Sequence, residues 1–307
     1  DQGIIRTDKK DSVDTDGNRG ADGIVGPYYQ KEGSFYTIKE VWSPIYFEPR
    51  EMTKEFDGNF SIENRYAFTN TAACTFTYTL RQFEKASGGE KEKEGTIVAP
   101  KIDPFQKGLL QVDLPTDWQS YDVLYLTATD PHGKDIFTWS FPISLPEKVA
   151  QRWTSHGKKK VEVEQTGDAY IIKVGEIRYT FNKTTGLLQE VSNSKGTIPL
   201  KNGPVLQEAV NNYKDFTLQQ QGDTVVISSK FDKKESYNTL RWTIYPSGQL
   251  KMHVQYFPES YFTRFVGVNF DLPEEQMQGV EYMGRGPYRV WKNRMKGNEF
   301  GAATNRS

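Results

Sequence analysis

Alternation with a period of two runs through most of the chain, and no other feature limits its fold so strongly. From Thr75 to Arg81, Phe76, Tyr78 and Leu80 fall on one side and Thr75, Thr77 and Thr79 on the other. Phe137, Trp139, Phe141 and Ile143 repeat the pattern against Thr138, Ser140 and Pro142. Leu240, Trp242 and Ile244, a turn at Tyr245-Pro246-Ser247-Gly248, then Leu250, Met252, Val254 and Tyr256 read as a hairpin. Successive side chains of a strand point to opposite faces, so these runs predict half-buried strands in antiparallel sheets. Only Leu206 to Tyr213 hints at helical periodicity. The chain reads as all-β.

Composition closes off other classes. Aromatics make up 13% of the chain, more than a disordered polymer would carry, so packed sheets are expected. The 39 basic and 40 acidic residues leave a net charge of −1, which excludes a polybasic nucleic-acid binder. No apolar run approaches the ~18 residues of a membrane helix, so no membrane partner is expected. The single cysteine, Cys74, cannot close an intrachain disulfide and sits in a strand-like run that suits a small core residue. His132, His156 and His253 show no metal-ligand spacing.

Turn-forming clusters divide the chain. Residues 1–34 are crowded with breakers such as Asp16-Gly17-Asn18 and Gly26-Pro27 and read as an irregular segment that clings to a neighbouring domain. Residues 35–146 hold six or seven expected strands and suit an immunoglobulin-like β-sandwich. Residues 147–159 are polar and read as a linker. The run Gly157-Lys158-Lys159-Lys160 at its end is a solvated connector or, alternatively, a patch for an anionic ligand. A second strand-rich domain occupies 160–307. The opening Asp1-Gln2-Gly3 shows no leader and reads as the start of an excised piece.

Three segments carry a resemblance. Asp1-Gln2-Gly3-Ile4, Asp22-Gly23-Ile24-Val25 and Tyr36 to Ile45 are similar to the end of the catalytic barrel and the exit helix of family 2 glycoside hydrolases of β-galactosidase type. Phe181-Asn182-Lys183-Thr184-Thr185-Gly186-Leu187-Leu188 resembles a hairpin of that family's last domain. Gly284-Arg285-Gly286-Pro287-Tyr288-Arg289-Val290-Trp291-Lys292-Asn293-Arg294 resembles its G-x-G-P-x-E-x-Y-x-D-R motif, with Arg289, Trp291 and Asn293 standing where the family has Glu, Tyr and Asp. The resemblance implies that 1–34 end a catalytic barrel and that 35–146 form the following sandwich. It also implies that 160–307 begin a galactose-mutarotase-like supersandwich, here truncated, whose strands from about residue 280 would lack pairing partners.

The same resemblance implies a retaining mechanism with two Glu residues upstream of Asp1, so no catalytic residue is expected here. Glu274-Glu275 and the Glu90, Glu92 and Glu94 series read as solvated loop charges. Asp22 aligns with a residue that helps hold a monovalent cation in family members, and a carboxylate oxygen would suit a monovalent or divalent ion. No cofactor is required by the segment itself. Trp118, Trp153 and Trp291 lie in turn-like or polar contexts and are candidate sugar-stacking residues, while Trp42, Trp139 and Trp242 are assigned to cores or interdomain packing. The expected role is the non-catalytic C-terminal part of a β-galactosidase-like hydrolase acting on oligo- or polysaccharides, with contacts that could build a homo-oligomer. The alternative is a free-standing pair of carbohydrate-binding or adhesion modules.

Overall fold

A computed structural model of the chain describes residues 4–5, 13–14, 24–26, 28–83, 90–153, 157–198, 200, 202–231, 238–277, 279–288 and 295–305. Their contacts separate into two compact units. One holds the described residues up to Trp153 together with those from Gly279 onward; the other holds those between.

The first unit is an immunoglobulin-like sandwich. Ile4–Ile5 (β1) and Val13–Asp14 (β2) form a small pair, and Gly33–Val41 (α1) is a helix. Seven strands follow: Ile45–Phe47 (β3), Asn59–Asn64 (β4), Thr75–Phe83 (β5), Glu90–Ile97 (β6), Lys107–Gln111 (β7), Val123–Thr129 (β8) and Asp135–Pro142 (β9). They build a sheet β3-β4-β7 and a sheet β6-β5-β8-β9, antiparallel throughout. The alternation dictates the core: Phe60 and Ile62 of β4, Phe76 and Leu80 of β5, Leu124 and Leu126 of β8, and Phe137, Trp139 and Phe141 of β9 are buried together, with Ile143 packed against them. Cys74 joins this core at the foot of β5, where burial lifts its thiol above the ordinary range.

One edge strand escaped the sequence reading. Glu90, Glu92 and Glu94 lie in β6, not in a loop, because Glu and Lys alternate there instead of apolar and polar residues. Glu92 pairs with Arg81 of β5 at 2.6 Å. A charged edge strand resists pairing with a foreign strand, which explains the composition. Trp42 is 77% exposed and belongs to neither core, which leaves interdomain packing of its two expected roles.

The expected linker begins as a helix, Pro146–Trp153 (α2), which buries Val149 and carries Arg152 to the carboxylate of Asp122 at 2.5 Å. Asp122 is fully buried, and its Oδ2 also accepts the Phe83 N–H at 2.8 Å. One buried side chain and one ion pair fix this short helix, too little to register as periodicity.

The second unit packs two antiparallel sheets face to face. Val161–Thr166 (β10), Ala169–Val174 (β11), Ile177–Asn182 (β12), Leu188–Asn193 (β13) and Gly196–Ile198 (β14) form a meander. Asn202–Leu206 (β15) follows, then Tyr213–Gln221 (β16), Thr224–Phe231 (β17), Asn238–Ile244 (β18) and Leu250–Gln255 (β19), which form the second sheet in sequence order. Val268–Asp271 (β20) returns to pair with β15. Ile172, Val174, Tyr179 and Phe181 from one sheet meet Val225, Ile227, Trp242 and Ile244 from the other. Leu206 to Tyr213 is not helical; it ends β15, turns and enters β16.

The chain then returns to the first unit. Val280–Gly286 (β21) and Glu299–Asn305 (β22) pair antiparallel, and β22 lies on the outer face of β8 and β9. Phe300 joins Phe83, Val123, Tyr125 and Val149 in a separate apolar cluster. The Phe300 N–H donates to Ser140 Oγ at 2.8 Å, and the Tyr125 hydroxyl donates to the Phe300 carbonyl at 2.5 Å. Thus the segment assigned by sequence to the 160–307 domain pairs internally and docks on the first sandwich. Among the described residues, no helix is long and apolar enough to cross a membrane.

Candidate functional site

The first and third motifs meet. Tyr36, on α1, stacks on Tyr288 with ring centroids 4.6 Å apart and planes 20° from parallel. Burial, and then the hydrogen bond with Tyr36, pushes the Tyr288 phenol up to about 12. One turn along α1, the Glu40 carboxylate accepts from Lys296 Nζ at 2.8 Å and from the Gly297 N–H at 2.6 Å. Gly297 adopts φ +78°, and a Cβ there would lie 2.3 Å from the Thr37 nitrogen. Only glycine lets the turn before β22 approach the helix so closely. Asn298 Oδ1 accepts the Tyr288 N–H at 3.2 Å and closes the turn.

Beside this junction lies a cleft of about 310 Å³, floored by Phe47, Phe137, Trp139 and Phe141 and rimmed by Glu48, Arg50 and Arg285. Its charged rim is largely engaged. Glu48 receives Lys107 Nζ at 2.7 Å, and that hydrogen bond, with one from Ser61, holds its carboxyl below the usual range. Arg50 pairs with Asp57 at 2.6 Å. The floor rings are at least nine-tenths buried. Such a cleft carries packing more readily than a sugar, whose C–H face needs an open ring.

The predicted site residues are not gathered in one place by the described structure. Trp118 starts a short 3-10 turn, is half buried, and packs edge-on against Phe56 at 5.9 Å beside the first core. Trp153 is the last residue of α2, and its side chain lies outside the described structure. Trp291 and Asp22 both lie outside the described residues. Among those described, no group of three His, Cys, Asp or Glu side chains is placed to hold a metal ion. Glu274 and Glu275 form a short exposed turn, as expected of solvated charges. The stacked Tyr36–Tyr288 pair and the Glu40 anchor escaped the sequence reading. Both motifs stand out in the sequence, but a separation of some 250 residues leaves no local signal that they touch.

The second motif supplies a further fixed point. Asn182 Oδ1 accepts the N–H groups of Thr184 and Thr185 at 2.8 and 3.0 Å, and the Gly186 carbonyl accepts the buried Ser229 hydroxyl. The Phe181 to Leu188 connection is thereby locked to β17. A family model described as beta galactosidase small chain matches residues 173–305. The C-terminal region is β-galactosidase-like. This β-galactosidase-like stretch runs from β11 through the second unit and on through β21 and β22, so it contains both the second and third motifs. No curated protein matches the chain.

Proposed function

We propose that the chain is the non-catalytic C-terminal part of a retaining β-galactosidase-like glycoside hydrolase of family 2. The match over 173–305 is the observation that carries this reading. The α1 helix, which stands where the resemblance places the barrel's exit helix, supports it by its tie to the Gly284 motif through Tyr36 and Glu40. In the intact enzyme the two units buttress the barrel, wall the cleft that takes an oligo- or polysaccharide, and contribute self-association contacts. Asp22 would lend one carboxylate oxygen to a cation whose other ligands come from the barrel.

Retaining hydrolysis requires two carboxylates about 5 Å apart, one as nucleophile and one as general acid/base. The purified chain should therefore release no nitrophenol from an aryl β-galactoside above the buffer rate. Turnover that is lost on replacing a Glu of this chain would refute the proposal. The rival reading, a free-standing binding module, is decided by gene context: a hydrolase requires a barrel with two Glu residues encoded in frame upstream.

A further inference from the structure

The second unit carries two adjoining clefts that the preceding reading leaves unused. The first, about 1000 Å³, is lined by Lys158, Lys159, Lys160, Gln220, Asp223 and Tyr245 among others. The second, about 510 Å³, lies on the outer face of β16 to β19 and is lined by Gln219, Ser228, Arg241, Thr243, Lys251 and His253 among others. Tyr245 lines both clefts, so they meet at the turn between β18 and β19.

Register places the basic groups side by side. Arg241 stands directly opposite His253, and Thr243 opposite Lys251, so Arg241 and Lys251 are diagonal neighbours on one face. Like charges on neighbouring strands oppose folding, and among the described residues no carboxylate lines this cleft to offset them. In the first cleft, Lys159 is held by its backbone and stem. The Lys159 N–H donates to the Pro246 carbonyl at 2.9 Å, which ties the connector to the β18–β19 turn. Gly175, at φ +62°, lets the Lys159 stem cross so closely that a Cβ would lie 2.5 Å from its Cδ. Lys160 pairs with Glu162 at 3.3 Å while its side chain stays 83% exposed. Among the described residues lining them, the two clefts together present five lysine and arginine side chains against Asp223, with Glu162 beside Lys160, in a chain whose net charge is −1. So local a concentration marks a surface shaped for anions.

We propose that this face is a binding track for an anionic saccharide, its sulfate or carboxylate groups paired with Arg241, Lys251 and Lys158 to Lys160. The glutamines and Ser228 would meet its hydroxyls, and Tyr245 would support one sugar ring. The saccharide element rests on the proposed function; the anionic element rests on the surface alone. A nucleic acid fits less well, because among the described residues Tyr245 is the one aromatic ring lining either cleft and successive bases need successive stacking platforms.

Titration calorimetry on the full chain with four probes tests this: a sulfated galactan oligosaccharide, an oligogalacturonate, a neutral galactan oligosaccharide of equal length, and an oligothymidylate of matched charge. At least one anionic probe should bind about tenfold or more tightly than the neutral one, with affinity falling as salt rises. The arm that binds identifies sulfate or carboxylate as the group recognised. The double variant R241Q/K251Q should lose about tenfold or more of that affinity while its melting temperature does not fall. Equal binding of the neutral probe, or no loss in the double variant, would overturn the anionic element and leave the glycosidase reading intact. Equal binding of an oligothymidylate of matched charge would overturn the saccharide element, as would failure of both anionic sugars to bind.

Discussion

The two four-stranded sheets, β6-β5-β8-β9 in the first unit and β16-β17-β18-β19 in the second, share an architecture and differ in the face turned away from the core. In the first, Val123 and Tyr125 of β8 point outward into an apolar cluster with Val149 of α2 and Phe300 of β22. In the second, Arg241 and Thr243 of β18 and Lys251 and His253 of β19 point outward into an open cleft. Sequence states the difference in seven residues. Val123 to Thr129 begins Val-Leu-Tyr-Leu, apolar on both faces, whereas Asn238 to Ile244 alternates strictly from Thr239 on. A strand buried on both faces reads as a continuous apolar run; a strand with one wet face alternates. The first outer face is a dock for the protein's own segments, and the second, among the described residues, is open, as the proposed saccharide track requires.

Substitutions on the two faces should therefore behave oppositely. The largest effect is expected for Phe300→Ala, which empties a 98% buried ring site in the docked cluster and should cost about 3–5 kcal/mol in denaturant unfolding. A loss below about 1 kcal/mol would mean that β22 adds little to the sandwich, and the dock would be an incidental contact. Arg152→Ala comes next. It leaves the fully buried Asp122 carboxylate without its cation and should cost about 1–3 kcal/mol, tempered because Arg152 is 38% exposed. Adding Asp122→Asn to that variant should recover part of the loss, since the unpaired charge is then gone.

Tyr125→Phe sharpens the comparison within a single ring. It keeps the apolar packing and removes the donor to the Phe300 carbonyl, so about 1 kcal/mol should be lost. On the open face, Arg241→Ala should change stability by no more than about 0.5 kcal/mol in either direction. A loss on the scale of Phe300→Ala would show that the β18 face is structural after all.

Much of this was legible in the chain itself. The runs Thr75–Leu80, Phe137–Ile143 and Leu240–Tyr256 identify strands and their buried sides because one face of each is dry. The outward members of the same hairpin, Arg241, Thr243, Lys251 and His253, follow by subtraction, yet a list of surface positions does not say that they border a common cleft. Strand β6 was hidden by its charges, and α2 by having so little apolar surface. The return of β22 to the first unit was hidden by distance along the chain: Ser140 and Phe300 are 160 residues apart, and no local pattern in either records the other. Of the aromatic site candidates, Trp118 carried the turn-like context expected of an exposed ring, but Phe56 and the core beneath it claim part of its surface.

The contrast between a closed and an open sheet face is tested most directly by backbone-amide chemical-shift mapping of the isotope-labelled chain during titration with the anionic oligosaccharide that binds. The account predicts shifts concentrated at Lys158 to Lys160, Arg241 to Tyr245 and Lys251 to His253, with Val123 to Thr129 and Glu299 to Asn305 unmoved. Shifts centred on β8 and β22, with the β18–β19 hairpin silent, would contradict it.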